Sequence, residues 1–316
     1  MYSPFLYGRG AEMDALADIS AVLGRDGGVV PLIEPVKANT KVRLTVERLR
    51  ANEVPAYVII NPFRGDFVGG VNSESWLESM ATELGDDGLA RPAYREHESS
   101  TLAEVQDFVN TYADRPVAVV LSTSRFVPQD LARILTGHGN FILFFEPTVT
   151  VTRYLPHVPL ACTITIVDRF RTQATNAEYE GVADEWFGDA FRTWKSDGVR
   201  GFSDFTLLPT IYREGGGQAY AVAAHLSYES AADDDMYVRH FVSETKEKGN
   251  DAAKILEVAD EVAATVTAEP SLFERTVGLQ SFIDIAQSRA ATNLTQLKRW
   301  QIAHHIEETQ KTMARQ

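Results

Sequence analysis

The feature that most constrains this chain is a repeated unit: a short apolar run, closed by one polar residue, then a stretch with helical spacing. Leu32-Ile33-Glu34, Ile59-Ile60-Asn61, Phe144-Phe145-Glu146 and Ile166-Val167-Asp168 each close such a run, and Ser122 closes a fifth. Parallel strands need a crossover, usually a helix, so this alternation predicts βα units and a largely parallel sheet. Strands are expected at 29–35, 56–61, 90–96, 117–122, 141–146, 161–168, 199–207 and 219–228, with 236–242 as a hairpin partner; 90–96 is the weakest. Helices are expected at 11–23, 41–52, 73–84, 102–112, 131–135 and 184–195. About eight strands suit a distorted (βα)8 TIM-like barrel, with an open doubly wound sheet as the alternative. From residue 250 on, three helical stretches (252–266, 272–287, 292–313) replace the alternation. The expected organisation is therefore a barrel-like domain at 1–245 and a C-terminal helical appendix at 246–316, packed on the barrel or used for homo-oligomer association.

Composition narrows the function. With 316 residues, 44% of them hydrophobic, the chain can bury a substantial core. Its 30 basic against 44 acidic residues give a net charge of −14, which argues against broad, non-specific binding to nucleic acid or anionic membrane. Cys162 is the single cysteine, so intramolecular disulfides and thiolate zinc clusters are excluded. No segment resembles a signal peptide or a membrane span, and a cytoplasmic location is the expectation.

In a barrel, chemistry gathers where strands end at the carboxyl face. The strand-terminal Glu34, Glu146, Asp168, Asp204 and His225 are therefore the candidate catalytic residues. Lys37, Asn61, Arg169, Arg239 and His240 are the candidate substrate contacts, the cations neutralising an anionic substrate. Carboxylates and an imidazole at one mouth can hold Mg²⁺ or Mn²⁺, or serve as an acid and a base with separated pKa values. Any one of these residues, taken singly, is also what a loop start or a helix cap would show. The loop Phe63-Arg64-Gly65-Asp66-Phe67-Val68-Gly69-Gly70 is a weaker phosphate candidate that fits neither dinucleotide nor P-loop spacing. Gly215-Gly216-Gly217 reads as a hairpin turn. His304 and His305 read as packed or hydrogen-bonded histidines, and His304 with Glu308 as a surface pair one helical turn apart.

Several segments together resemble an uncharacterised bacterial family related to the beta protein family of phages and bacterial mobile elements. They include residues 2–10, Pro31-Leu32-Ile33-Glu34-Pro35-Val36-Lys37, Gly201-Phe202-Ser203-Asp204-Phe205, residues 219–228, Arg239-His240-Phe241-Val242-Ser243 and residues 300–306. Where such proteins show Gly-Asp-Tyr, this chain carries Ser203-Asp204-Phe205 and lacks the aromatic hydroxyl. The resemblance implies a barrel and a role in phage defence or mobile-element conflict, beside a partner nuclease. It implies no mechanism. The residues themselves leave three readings: a metal-assisted hydrolase of a phosphoester or nucleotide, a non-catalytic barrel that recognises a partner protein or nucleotide signal, and a phage-derived structural component.

Overall fold

In the computed structural model, which describes residues 1–24, 28–85, 88–212 and 219–316, the apolar runs become strands and the spaced segments become helices. The expected Gly215-Gly216-Gly217 turn lies outside the described residues. The first strands are β1 (Phe5–Tyr7), β2 (Leu32–Glu34), β3 (Ala56–Ile59), β4 (Ala90–Arg95), β5 (Val117–Leu121), β6 (Phe141–Phe145) and β7 (Thr163–Val167). Next come β8 (Glu185–Gly188), which joins a different sheet, and β9 (Ser203–Asp204). Strands β1 to β7 and then β9 hydrogen-bond in that order, all parallel.

The sheet closes through Tyr2, which bridges Val29 on one side and Phe202 on the other. Ser3 N–H donates to the Phe202 carbonyl at 2.9 Å, and the Tyr2 ring stacks on Phe202 at 5.0 Å. The architecture is thus the distorted (βα)8 barrel, and the open doubly wound alternative is set aside. The strand count of eight holds, but its membership changes. Residues 2–7 supply the first strand, while 219–228 leave the barrel altogether. A three-residue strand after Pro4 carries too little period-two signal to register, whereas 219–228 is long and apolar in any setting.

The connecting helices are α1 (Gly10–Leu23), α2 (Lys41–Ala51), α3 (Ser73–Ser79), α4 (Leu102–Thr111) and α5 (Pro128–His138). Helix α4 starts where Thr101 and Glu104 form a reciprocal capping box, and α5 starts with Pro128 in its first turn. Alternation along the strands sorts the core. Val119, Leu121, Leu143 and Phe145 pack outward in a cluster with Phe108, Leu131 and Leu135 of α4 and α5. The residues between them point inward, where Tyr57 meets Phe144 edge-to-face at 6.0 Å. Glu146 continues the Phe144 face, so it enters the barrel end rather than solvent.

The chain forms two compact units, and they do not divide at residue 245. The first comprises Met1–Arg9, Gly24–Asp168 and Arg192–Phe205; the second comprises Gly10–Leu23, Arg169–Phe191 and Thr206–Gln316. The second contains β8, β10 (Ala223–Glu229) and β11 (Met236–Val242), an antiparallel sheet in the order β10-β11-β8. The helix expected over 184–195 is instead β8 plus the single turn α6 (Ala190–Thr193). Trp186 pairs with Tyr237, its indole N–H donates to Asp235 at 2.7 Å, and Gly188, at φ 154°, ends the strand. Sheet pairing overrides the helical spacing of its aromatics.

Helices α7 (Asp251–Ala268), α8 (Val277–Ser288) and α9 (Leu294–Ala314) follow close to the expected spans. Val222, Ala224, Leu226 and Tyr228 of the hairpin pack against Ile255, Val258, Val262, Leu279 and Phe282. Helix α1 belongs to this unit and packs on α9, with Arg299 forking onto Asp18. Among the described residues no helix is long and apolar enough to cross a membrane.

Gly278 lets α8 and α9 touch. A Cβ there would lie 2.2 Å from the Trp300 carbonyl oxygen and 2.5 Å from the His304 nitrogen, both backbone atoms that cannot step aside. Gly278→Ala is therefore expected to destabilise the protein by at least about 2 kcal/mol, although alanine is the better helix former. Urea denaturation reads this directly; an unchanged midpoint would contradict the packing.

Candidate functional site

At the carboxyl end of the barrel the structure joins two of the expected residues through two that were not expected. Glu34 ends β2, Tyr7 ends β1, Arg95 ends β4, and Glu146 follows β6 directly. Arg95, 1% exposed, forks onto Glu146, its Nε 2.6 Å from Oε1 and its Nη2 2.8 Å from Oε2. Its remaining Nη1 lies 3.6 Å from Glu34 Oε1, and the Phe63 ring lies 4.9 Å from the guanidinium carbon. Arg64 donates from Nη1 to Glu34 Oε2 at 2.9 Å and to the Tyr7 hydroxyl at 3.0 Å. Burial works against the Arg95 charge, but Glu34 and Glu146 outweigh it and hold its pKa above the usual value. Burial raises the Glu146 carboxyl, with Arg95 opposing. Two carboxylates and two guanidiniums cancel one another here.

The other barrel candidates are tied into structure. Asp204 accepts from the Tyr2 hydroxyl at 2.9 Å, at the seam where the barrel closes. Asn61 exchanges two 2.8 Å hydrogen bonds with the Arg95 backbone, extending the β3–β4 pairing. Lys37 pairs with Asp66 at 3.1 Å, and Asp66 also accepts from Ala38 N–H, so the 63–70 loop braces the chain after β2. Asp168 is exposed. The expectation of one mouth shared by Glu34, Glu146, Asp168, Asp204 and His225 is corrected: Glu34 and Glu146 meet, Asp204 serves the seam, and His225 belongs to the second unit's sheet.

In that sheet the register places His225 opposite His240. Their Nδ1 atoms are 2.8 Å apart, and His240 Nε2 lies 3.1 Å from Glu185 Oε2 on β8. Tyr179 packs against both imidazoles, with ring centroids at 4.5 and 4.8 Å, and Phe170 lies 4.8 Å from His225. Burial, then the charges of His240 and Lys298, hold His225 well below the usual imidazole pKa. Burial also lowers His240, with Glu185 opposing. Both rings are thus neutral at pH 7, and the hydrogen bonds set their tautomers. A carboxylate only accepts, so His240 carries its proton on Nε2 and presents a bare Nδ1. His225 must then donate from Nδ1, which leaves its Nε2 as an acceptor.

Ala223 and His225 lie on the face of β10 opposite Ala224 and Leu226 and line a cavity of about 370 Å³. The loop 172–176, Leu207, Leu208 and one side of α9, including Lys298 and Gln301, complete its wall. Gln301 also accepts from the His225 backbone N–H at 2.8 Å, pinning β10 to α9. Arg239, expected to contact substrate, instead forks onto Asp184 and reaches Glu269. Despite burial, hydrogen bonds from Arg239 and Tyr228 keep the Asp184 carboxyl below its usual pKa. Arg169 lies over the Trp186 ring at 5.0 Å. Among the described residues, no group of three or more His, Cys, Asp and Glu side chains is arranged to hold a metal ion.

His304 and His305 are both fully buried. His304 Nε2 donates to the Ser227 carbonyl and its Nδ1 accepts from Thr276, each at 2.8 Å, so the ring is neutral, with burial lowering its pKa to about 3. The expected surface pair with Glu308 is corrected. Glu308 is buried 3.8 Å away, accepts from Glu274 N–H, and burial raises its carboxyl to about 8. A carboxyl with a raised folded pKa favours the fold when protonated, and that contribution is lost as pH climbs from 4.5 through about 8. Glu308→Gln is expected to remove a fall in stability across this window, measured as melting temperature against pH. Parallel curves for both proteins would refute it.

Compared with known proteins, the chain matches no family model and no curated protein.

Proposed function

We propose that the protein is an enzyme that activates water in the cavity beside His225, with Glu185, His240 and His225 acting as a proton relay. The observation that carries this reading is the chain of contacts from Glu185 Oε2 through both rings of His240 and His225 to the cavity wall. A proton arriving at His225 Nε2 releases the one on Nδ1 to His240, and the resulting imidazolium lies against the Glu185 carboxylate. The charge thus settles on the ring that has a counter-ion, as an orienting carboxylate does behind a catalytic histidine. Low imidazole pKa values keep the base unprotonated at neutral pH.

Hydrolysis of an ester or phosphoester, nucleotides included, is the reaction class that such a base serves. The test is turnover of 4-nitrophenyl acetate, 4-nitrophenyl phosphate and bis(4-nitrophenyl) phosphate by the full chain, with and without Mg²⁺ or Mn²⁺. Turnover that disappears in His225→Gln supports the reading; turnover unchanged by that substitution refutes it.

A second reading, a barrel that recognises a partner without chemistry, draws on the charges around Arg95, where the buried Glu34 and Glu146 are both held by guanidinium groups. The resemblance of the Glu34 and His240 segments extends the proposal to phage defence or mobile-element conflict, with a nuclease as partner.

A further inference from the structure

We propose that the cavity beside His225 takes a small neutral aromatic molecule with one O–H or N–H donor, a phenol in the simplest case. Its donor pairs with Nε2 of His225, and its ring packs against Phe170 and Tyr179. This rests on reading that cavity as the ligand site, and it names the substrates as aryl esters and aryl phosphoesters, whose leaving group is such a phenol. Water attacks the acyl carbon or the phosphorus as its proton passes to Nε2. The bond to the aryl oxygen then breaks, and that oxygen takes the proton back.

The imidazole sets the polar contact. His225 lines the cavity and is 8% exposed. Its Nδ1 is taken by His240 at 2.8 Å, and among the described residues nothing pairs with Nε2 on the far edge of the ring. An acceptor enclosed in this way gains from a ligand that brings a donor, and a ligand without one leaves it stranded. The neighbouring amides are occupied: Asn176 donates to the Ala221 carbonyl at 3.0 Å, and Gln301 accepts from the His225 backbone N–H at 2.8 Å. Among the described residues, no aspartate or glutamate in the wall competes for the ligand's proton.

The rings beside it set the body of the ligand. Phe170 and Tyr179 stack at 6.1 Å and 25° and both line the cavity. The Tyr179 hydroxyl accepts from Gln173 N–H at 3.0 Å and donates to the Arg171 carbonyl at 3.2 Å, so its ring is held in place before a ligand arrives. Leu207 and Leu297 supply an apolar side. A volume of about 370 Å³ is at the low end for ligand sites, enough for a small ring system and too little for a polymer.

The test is a titration of the full chain with p-cresol, 4-fluorotoluene and trans-4-methylcyclohexanol, followed by NMR. The first two share a ring and nearly a size, and only p-cresol, neutral at pH 7 as the tyrosine side chain is, carries a donor. The third keeps the hydroxyl and lacks the aromatic face. p-Cresol is expected to bind about five- to thirtyfold more tightly than 4-fluorotoluene, the worth of pairing an enclosed acceptor. It should bind about two- to tenfold more tightly than the cyclohexanol. The Nε2 resonance of His225 should shift on addition of p-cresol and hold still with 4-fluorotoluene. His225→Phe removes the acceptor and should level the first difference, with 4-fluorotoluene still binding as proof that the cavity is intact. The wild-type resonance carries the result even where that variant does not fold. Equal affinity for p-cresol and either comparison probe, an unmoved Nε2 resonance, or no saturable binding would overturn the proposal. Binding is read without turnover. Donor-dependent binding in a protein that hydrolyses no aryl ester removes the relay and keeps the ligand class; His225-dependent hydrolysis with equal affinities removes the ligand class alone.

Discussion

Arg95→Met is expected to cost the barrel about 3–5 kcal/mol, the largest loss of stability for any single side chain at the barrel end, because it strands two buried carboxylates at once. Glu146 loses both hydrogen bonds of its fork and Glu34 loses the charge 3.6 Å away. Arg64 still reaches Glu34, so Glu146 bears most of the damage. Its carboxyl is already raised by burial, and without the guanidinium it rises further. The deficit should therefore shrink as pH falls and the stranded carboxyls take up protons. Arg95→Met combined with Glu146→Gln should recover part of the loss, since the amide removes the stranded charge. Urea denaturation at pH 7 and pH 5 measures all three effects. A loss below about 1 kcal/mol, typical of an exposed ion pair, would mean that water reaches the cluster.

His225→Gln should lower the rate of any hydrolysis the cavity performs by about 10²–10⁴-fold, the usual contribution of a general base. The relay orders its neighbours. His240→Gln leaves His225 in place without its acceptor, and should cost less than His225→Gln. Glu185→Gln keeps the shape but removes the carboxylate that fixes the His240 tautomer and balances its positive charge, so it too should slow turnover while leaving KM near its original value. Activity should stay level through neutral pH and fall only in acid, because His225 resists protonation. A rate that instead rises through pH 6–7 would indicate an ordinary exposed histidine.

The strand ends were legible because period two is a strong local signal: Glu34 and Glu146 continue inward-facing rows, and the structure brings them to the same arginine. That arginine was harder to see. Arg95 ends the strand with the poorest β signal, its segment interrupted by Pro92, and Arg64 lies in a loop whose glycines drew attention to phosphate instead. Asking which residue ends each strand, basic ones included, would have found Arg95. The relay was hidden for a different reason. His225 and His240 are 15 residues apart, and only the register of a hairpin, fixed by its turn, sets them face to face. Both segments were recognisable as strands, and pairing them would have exposed the contact. Glu185 was out of reach, since the aromatics around it have helical spacing and only the pairing of Trp186 with Tyr237 makes the segment a strand. The division into two units was equally non-local: α1 connects two barrel strands, yet belongs with α9, 281 residues from Asp18 to Arg299.

The most direct test of the relay is the tautomeric state of its histidines by long-range ¹H–¹⁵N NMR across a pH titration. The wiring from Glu185 predicts His240 protonated on Nε2, and His225 protonated on Nδ1 with a bare Nε2, the His225 state persisting well below pH 6.5. His225 carrying its proton on Nε2, or titrating near 6.5 as a free imidazole does, would contradict it.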